Sequence, residues 1–296
     1  MAKYSEDTLN NWTKPPSDSE QSKLENSERM VREAISNDDV LRVKSTETFA
    51  QGSYANNTNV RLNSDIDINT CYTGGFYFGL PIGKVREDFG LNSPSEYSFS
   101  KFKYDVEITL VRKFGRNEVK RNDKCITIKE NSYRIETDVV PSWRYNQYFE
   151  NGSHVEGTTF FSDKGLQIVN FPKQHIQNGI GKNSDTNRKF KRLVRLYKKI
   201  RYKMDDDGLS VSENIKSFLI ESLIWNVPNS IIIGYYTWTE ILKQSIIFLY
   251  NNTESDDQCK EWVEVSELLY LFHSSRKWSR SDVQQYLQIL WNYLEY

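Results

Sequence analysis

Apolar residues fall at helical spacing from about Ser19 to Ser36, where Leu24, Val31, Ala34 and Ile35 lie near one face and Ser27 interrupts it. Asn37-Asp38-Asp39 punctuates its end. A strand-like run, Arg42 to Ala50, leads to the turn Gly52-Ser53, and a short helix is expected over about Ser53 to Arg61. Asp65 to Tyr72 reads as a strand. Residues 73–100 hold several Gly and Pro and give no assignment, and Phe102–Phe114 fits helix or strand equally. Cys125–Glu130 and Ser132–Val140 read as two strands joined at Asn131, the second ended by Pro141. Beyond residue 182 the pattern is helical: 182–203, capped by Thr186 or Ser184, then about 214–227, 239–250, 262–273, and 282–294 with Ser281 as its cap. Residues 1–18, polar and carrying Pro15-Pro16, are expected to be a loosely attached lead-in.

The stretch with chemistry in it is Gly52-Ser53-Tyr54 followed by Ser64-Asp65-Ile66-Asp67-Ile68. Alternation along a strand puts Asp65 and Asp67 on one face and sends Ile66 and Ile68 into the core. Two close carboxylates repel unless a cation sits between them. Oxygen-liganded Mg²⁺ meets that need with one or two carboxylates plus substrate phosphates. Gly52 permits a tight backbone, Ser53 can cap the helix behind it, and the amides there can hold a phosphate. An Asp-x-Asp alone is common on a solvated strand edge. Its spacing from the Gly-Ser turn, with apolar Ile between and after the acids, is what carries the metal reading. Asp138 lies on a strand face with Glu136 and Arg134 and is the candidate third ligand of a two-metal phosphoryl-transfer site. The competing reading is a structural acid paired with Arg134 or Arg144.

Composition narrows the partners. A formal net charge of -1 argues against a general polyanion binder, so basic surface must be local. It is concentrated in 182–203, where Lys191, Arg195 and Lys198 share a flank beside an apolar stripe. A cation there could reach polyphosphate across a cleft; the bland alternative is a solvated basic face, and Lys198 is singled out. Asp205-Asp206-Asp207-Gly208 lacks a calcium-loop pattern and reads as a surface turn. The odd set Cys71, Cys125 and Cys259 has no metal spacing and fits a reducing compartment. Met1 is followed by no apolar signal core and no run is long enough to span a membrane, so the cytosol is expected. The histidines, His154, His175 and His273, form no catalytic arrangement, and His175 reads as structural.

Together, Gln51-Gly52-Ser53-Tyr54, Ser64-Asp65-Ile66-Asp67, Thr137-Asp138-Val139-Val140-Pro141, Asn170-Phe171-Pro172-Lys173-Gln174-His175, Phe190-Lys191-Arg192-Leu193-Val194-Arg195 and Ser217-Phe218-Leu219-Ile220-Glu221-Ser222-Leu223 resemble the bacterial CD-NTases. These are the cGAS/DncV-like nucleotidyltransferases, the oligonucleotide cyclases of CBASS anti-phage systems, and the CdnE branch is the most similar. The Gly-Ser and Asp-x-Asp pair alone marks only the wider polymerase-beta-like superfamily; the later blocks narrow it.

The resemblance implies an α+β fold: a polymerase-beta-like nucleotidyltransferase N-lobe with a mixed sheet and a helical C-lobe, joined by a long N-terminal spine helix. The expected divisions are 1–18, 19–165 and 166–296. It implies nucleotide contacts from Ser53, with Gln51 and Gly52 beside it, from Lys198 and from Ser217. Phe218 stands where the family often has a base-stacking Tyr. Asp65, Asp67 and Asp138 are the catalytic and metal-binding residues, with two Mg²⁺ ions as cofactors and Mn²⁺ as a substitute. The substrates are NTPs, joined in two successive attacks that release pyrophosphate and close a ring. Asn170, where the lobes should meet, offers an amide suited to uracil's edge, or else caps the Phe171-Pro172 turn; the lean is to a uridine-containing product. A downstream effector would read the product, an RNA activator stays open, no membrane is involved, and a monomer is expected. Two alternatives remain: a nucleotidyltransferase making linear oligonucleotides or tailing RNA or protein, and a non-catalytic module binding RNA through 182–203.

Overall fold

The structure, a computed structural model, describes residues 2–60, 65–91, 93, 95–273 and 276–296. In chain order its elements are α1 (Glu6–Trp12), α2 (Asp18–Asn37), β1 (Thr46–Gln51), α3 (Gly52–Ala55), β2 (Ile66–Gly79), α4 (Phe99–Phe114), β3 (Val119–Arg121), β4 (Ile126–Ile128), β5 (Thr137–Tyr148), β6 (His154–Phe161) and β7 (Gln167–Asn170). They continue with α5 (Pro172–Asp185), α6 (Lys189–Asp206), α7 (Ser217–Trp225), α8 (Asn229–Ile233), α9 (Trp238–Asn251), α10 (Asp256–Cys259) and α11 (Arg280–Tyr293). The chain forms two compact units: a sheet unit, residues 17–54 and 63–173, and a helical unit, residues 1–16, 55–62 and 174–296.

The sheet unit is built on a mixed seven-stranded sheet in the order β1-β2-β5-β4-β3, with β6 on the second half of β5 and β7 beyond it. β2 and β5 run parallel, and the other pairs are antiparallel. Helices α2 and α4 cover one face. Their apolar stripes, Leu24, Val31, Ala34 and Ile35 on α2 and Phe99, Phe102, Val106 and Leu110 on α4, bury against Ile66, Ile68 and Val139. The ambiguity at 102–114 resolves as helix because the apolar positions recur every three or four residues, Ser98 caps the start and Gly115 ends it. Ser27 is buried rather than interrupting the α2 face: its hydroxyl bonds the backbone of Ile135, accepting from the N–H at 3.2 Å and donating to the carbonyl at 3.4 Å.

Three expectations change here. The strand from 65 runs on past Tyr72 to Gly79, with an irregularity between Tyr72 and Phe76. Residues 132–136 are not strand: Asn131 accepts from the N–H groups of Tyr133 and Arg134, folding a turn, and β5 begins only at Thr137. Nor does Pro141 end that strand. It sits where one edge of β5 passes from β4, paired up to Val139, to β6, paired from Trp143, so its missing N–H costs no ladder bond there.

In the helical unit, α6 and α7 form the centre of a core of Phe190, Leu193, Val194, Tyr197, Leu219 and Leu223, closed by α9 and α11. The 182–203 helix is two helices, since Asn187 and Arg188 take left-handed φ values of 52° and 61°. Thr186 still helps to start the second, accepting from the N–H of Phe190 at 3.1 Å. The helix expected at 262–273 is instead a loop closed by a Val263–Tyr270 bridge, with Glu267 at φ 61°. Ser279, not Ser281, caps α11, in a capping box with Asp282.

Residues 2–16 are not a loose lead-in. Leu9 is 1% exposed within the helical core, and Glu6 caps α9 by accepting from the N–H groups of Trp238 and Thr239. The division between the units falls at residue 173 rather than 165. Leu9→Ala should therefore destabilise the helical unit by about 2–4 kcal/mol, seen as a lowered thermal transition in calorimetry. An unchanged transition would mean that α1 adds nothing to the fold.

Candidate active site

One rung of the sheet carries the acids. Gln51, Asp67, Asp138 and Thr127 face one another across β1, β2, β5 and β4. Residues directly paired across adjacent strands share a face, so Asp67 and Asp138 lie on the same side of the sheet. Ile66, Ile68 and Val139, fully buried, point the other way. Asp65 sits two residues before Asp67, exposed, at the entrance to β2. The 71 positions between Asp67 and Asp138 thus collapse to neighbouring strands.

Gly52 explains the spacing of the turn from the acids. Its φ is +67°, and a Cβ placed there would lie 2.3 Å from Oδ2 of Asp67. The carboxylate packs against a bare Cα, which only glycine supplies. Ser53, half-buried, follows in α3. That helix is one turn, Gly52–Ala55, shorter than the helix to Arg61 expected from sequence. Arg61 and Ser64 lie outside the described residues.

Electrostatics on this rung are those of crowded anions. Burial, then Asp138, then Asp65 push the Asp67 carboxyl up to about 7. Burial followed by Asp138 also raises Asp65. Among the described residues none of the three acids has an ion-pair partner. Arg134, offered above as a structural partner for Asp138, bonds Glu118 and the carbonyl of Lys129 instead. The donors are all carboxylate oxygens, which suits a hard divalent cation. Among the described residues no three acidic, His or Cys side chains come together as a group that could hold a metal ion, so Asp65, Asp67 and Asp138 are not assembled into a ready three-ligand set.

Sequence reasoning missed the polar groups that orient this face. Asn69 donates to Oε1 of Gln51 at 3.1 Å and accepts from Ser142 at 2.6 Å. With its oxygen occupied, the Gln51 amide presents its NH₂ as a donor. Thr127 donates to Oδ1 of Asp138 and accepts from Asn122 at 2.7 Å. Strand parity was the available signal: Asn69 is two residues beyond Asp67, and Ser142 four beyond Asp138. Asn170 lies on β7, half-buried and paired with Thr158, whose other partner is Arg144 of β5, so one strand separates it from β5 and it stands level with Arg144 rather than Asp138.

The remaining candidates belong to the helical unit. Lys198 is not on a solvated flank. It is 2% exposed, its ammonium 2.9 Å from both Glu221 and Thr58. A role toward phosphate would require it to leave that pair, so its position corrects the expectation of a free cation. Arg195 is buried as well, bonded to the carbonyls of Thr13 and Asn57. His175 bonds Glu221 at 3.1 Å, the structural role expected. Lys198 and His175 outweigh the burial penalty on Glu221 and hold its carboxyl well below the usual range. Glu221 was legible as a lone charge inside the apolar helix Ser217–Trp225.

Ser217 opens α7, its hydroxyl 3.1 Å from that of Tyr202, and lines a cavity of about 260 Å³ with Lys198, Arg201 and Lys216. Phe218 is 38% exposed, with His175 and Trp278 against its ring at 5.8 and 6.1 Å. It therefore keeps an open surface on which a base could stack.

Two variants test the acid rung. Gly52→Ala should cut turnover by about 100-fold or more while circular dichroism stays unchanged, because the added carbon displaces Asp67. Asp67→Asn should make the metal-free protein more stable at pH 8. A carboxyl raised to about 7 in the fold, against an ordinary 3.8, penalises the ionised form, so stability falls as pH rises from about 4 to 7. The gain is about 1–3 kcal/mol once water at a half-buried group is allowed for, and it disappears near pH 4. Thermal melts in chelator at the two pH values measure it; a less stable variant at pH 8 would contradict the crowding.

Residues 177–295 match the model of the cGAS/DncV-like nucleotidyltransferase C-terminal helical domain. The chain is 67% identical, over the full length of both, to a cyclic dipyrimidine nucleotide synthase CdnE of Cecembia lonarensis. It is 36% identical to the enzyme of that name from Legionella pneumophila, covering 98% of each chain. The solved CdnE cyclic dinucleotide synthase of Elizabethkingia meningoseptica, with GTP and Apcpp, superposes with a TM-score of 0.84 at 34% identity, covering 99% of this chain and 100% of that one. With the acids on one rung and these likenesses spanning its length, the chain belongs to the CD-NTase family of nucleotidyltransferases, in its CdnE branch.

Proposed function

We propose that this enzyme is a cyclic dinucleotide synthase that condenses pyrimidine NTPs with release of pyrophosphate. The observation that carries the reading is the pairing of Asp67 with Asp138 across β2 and β5, with Asp65 beside them and, among the described residues, no ion-pair partner for the three acids. The pyrimidine choice is supported by 67% identity to an enzyme named a cyclic dipyrimidine nucleotide synthase and by the amide of Asn170.

Asp65, Asp67 and Asp138 would hold two divalent ions, Mg²⁺ or Mn²⁺ in its place. When bound, those ions neutralise triphosphate charge and lower the pKa of the acceptor ribose hydroxyl. The residues of the chain do the positioning. Ser53 and the Gln51 amide donate to the donor triphosphate, Ser217 adds a hydroxyl, Phe218 stacks on a base and Asn170 reads a base edge. Lys198 acts indirectly, holding Thr58 and Glu221, the latter on the same helix as Phe218. The product serves as a second messenger for an effector in CBASS anti-phage defence. The module reading, RNA binding through 182–203, loses support because Arg195, Lys198 and Arg201 are buried.

Purified protein with each labelled NTP and Mg²⁺ tests the proposal. UTP and CTP should give a phosphatase-resistant product that disappears in Asp138→Asn. A phosphatase-sensitive product would mean linear chains, and product formed only from purine NTPs would overturn the base assignment.

A further inference from the structure

Two carboxylates on one rung, with a third two residues away, do not by themselves make a site, because the terminal torsion of Asp is broad and roughly two-fold. Among the described residues the acids do not form a metal-holding group on their own, so the contacts that orient each carboxylate matter. For Asp138 the chain is complete. Asn122 donates to the Thr127 hydroxyl at 2.7 Å, and Thr127 donates to Oδ1 of Asp138. A hydroxyl has one proton and accepts through lone pairs. With Asn122 donating to the oxygen, the single proton of Thr127 is aimed at the carboxylate. Asn122 is itself fixed, its N–H bonded to the carbonyl of Cys125 at 2.9 Å in the tight turn before β4. Thr127 and Asp138 are direct cross-strand partners, so the donor arrives from the backbone of the same sheet.

We propose that Thr127, steered by Asn122, is the positioning residue of the third metal ligand. It ties Oδ1 of Asp138, so that the other oxygen would be the one available to a bound ion. The inference rests on the reading of Asp138 as a ligand. Groups that hold metal ligands in this way change metal affinity by about 10–100-fold when lost. Valine in place of Thr127 keeps the β-branched shape and strand preference while removing the donor, so a packing role alone predicts no effect.

The test uses the full chain with a non-hydrolysable pyrimidine triphosphate and Mn²⁺, bound ion being read by electron paramagnetic resonance. Thr127→Val should weaken Mn²⁺ binding by about tenfold with an unchanged melt, and raised metal should restore its turnover. Thr127→Ser should bind close to the parent level. Parent-like Mn²⁺ binding by Thr127→Val, while Asp138→Asn binds poorly, overturns the role of Thr127 and leaves the metal reading intact. Parent-like binding and turnover by Asp138→Asn overturns the reading beneath it. Should Thr127→Val fail to fold, Asn122→Ala decides: weaker Mn²⁺ binding supports the relay, and parent-like binding overturns it.

Discussion

Like charges forced into proximity are the constraint on which the sheet unit turns. The alternation of a strand leaves no choice: with Ile66, Ile68 and Val139 buried against α2 and α4, the residues between them must face the other way. A one-residue slip in register would send Asp67 into the core, so the apolar packing on one face enforces the anionic crowding on the other. The burial that raises Asp67, with Asp138 and Asp65 beside it, is a cost that the fold itself carries. Gly52 belongs to the same constraint, since a side chain there would occupy the position of the carboxylate.

The helical unit handles charge in the opposite way. Glu221 is buried with Lys198, His175 and Thr58 around it, so its carboxylate is fully matched. Removing Lys198 would leave Glu221 without its ion-pair partner in the interior. Helix α7 carries both Glu221, at its buried side, and Phe218, with an open face, so the ion pair fixes the helix that presents the ring. Unmatched carboxylates stand on the rung of the sheet, and a matched one stands in the helical core.

The sequence revealed these two features unequally. Asp65, Asp67 and the turn before them were legible because strand parity and glycine chemistry are local. So were α2, α9 and α11, whose stripes are long and periodic. Asp138 could be named as a candidate but not placed beside Asp67, since pairing between strands leaves no local trace. The basic run at 182–203 was misleading for a physical reason: long Lys and Arg side chains look solvated in a helical projection, yet Arg195 and Lys198 reach partners inside the unit. Pro141 misled in the other direction, because a strand that exchanges partners along one edge can absorb a proline. Residues 2–16 were too polar to suggest a core, and one leucine at position 9 is enough to anchor them.

The most direct measurement is anomalous scattering from crystals grown with Mn²⁺ and a non-hydrolysable UTP analogue. Manganese peaks in inner-sphere contact with the carboxylates of Asp67 and Asp138, bridging to the triphosphate, are the predicted result. An ordered triphosphate with no manganese at those two side chains would contradict the account.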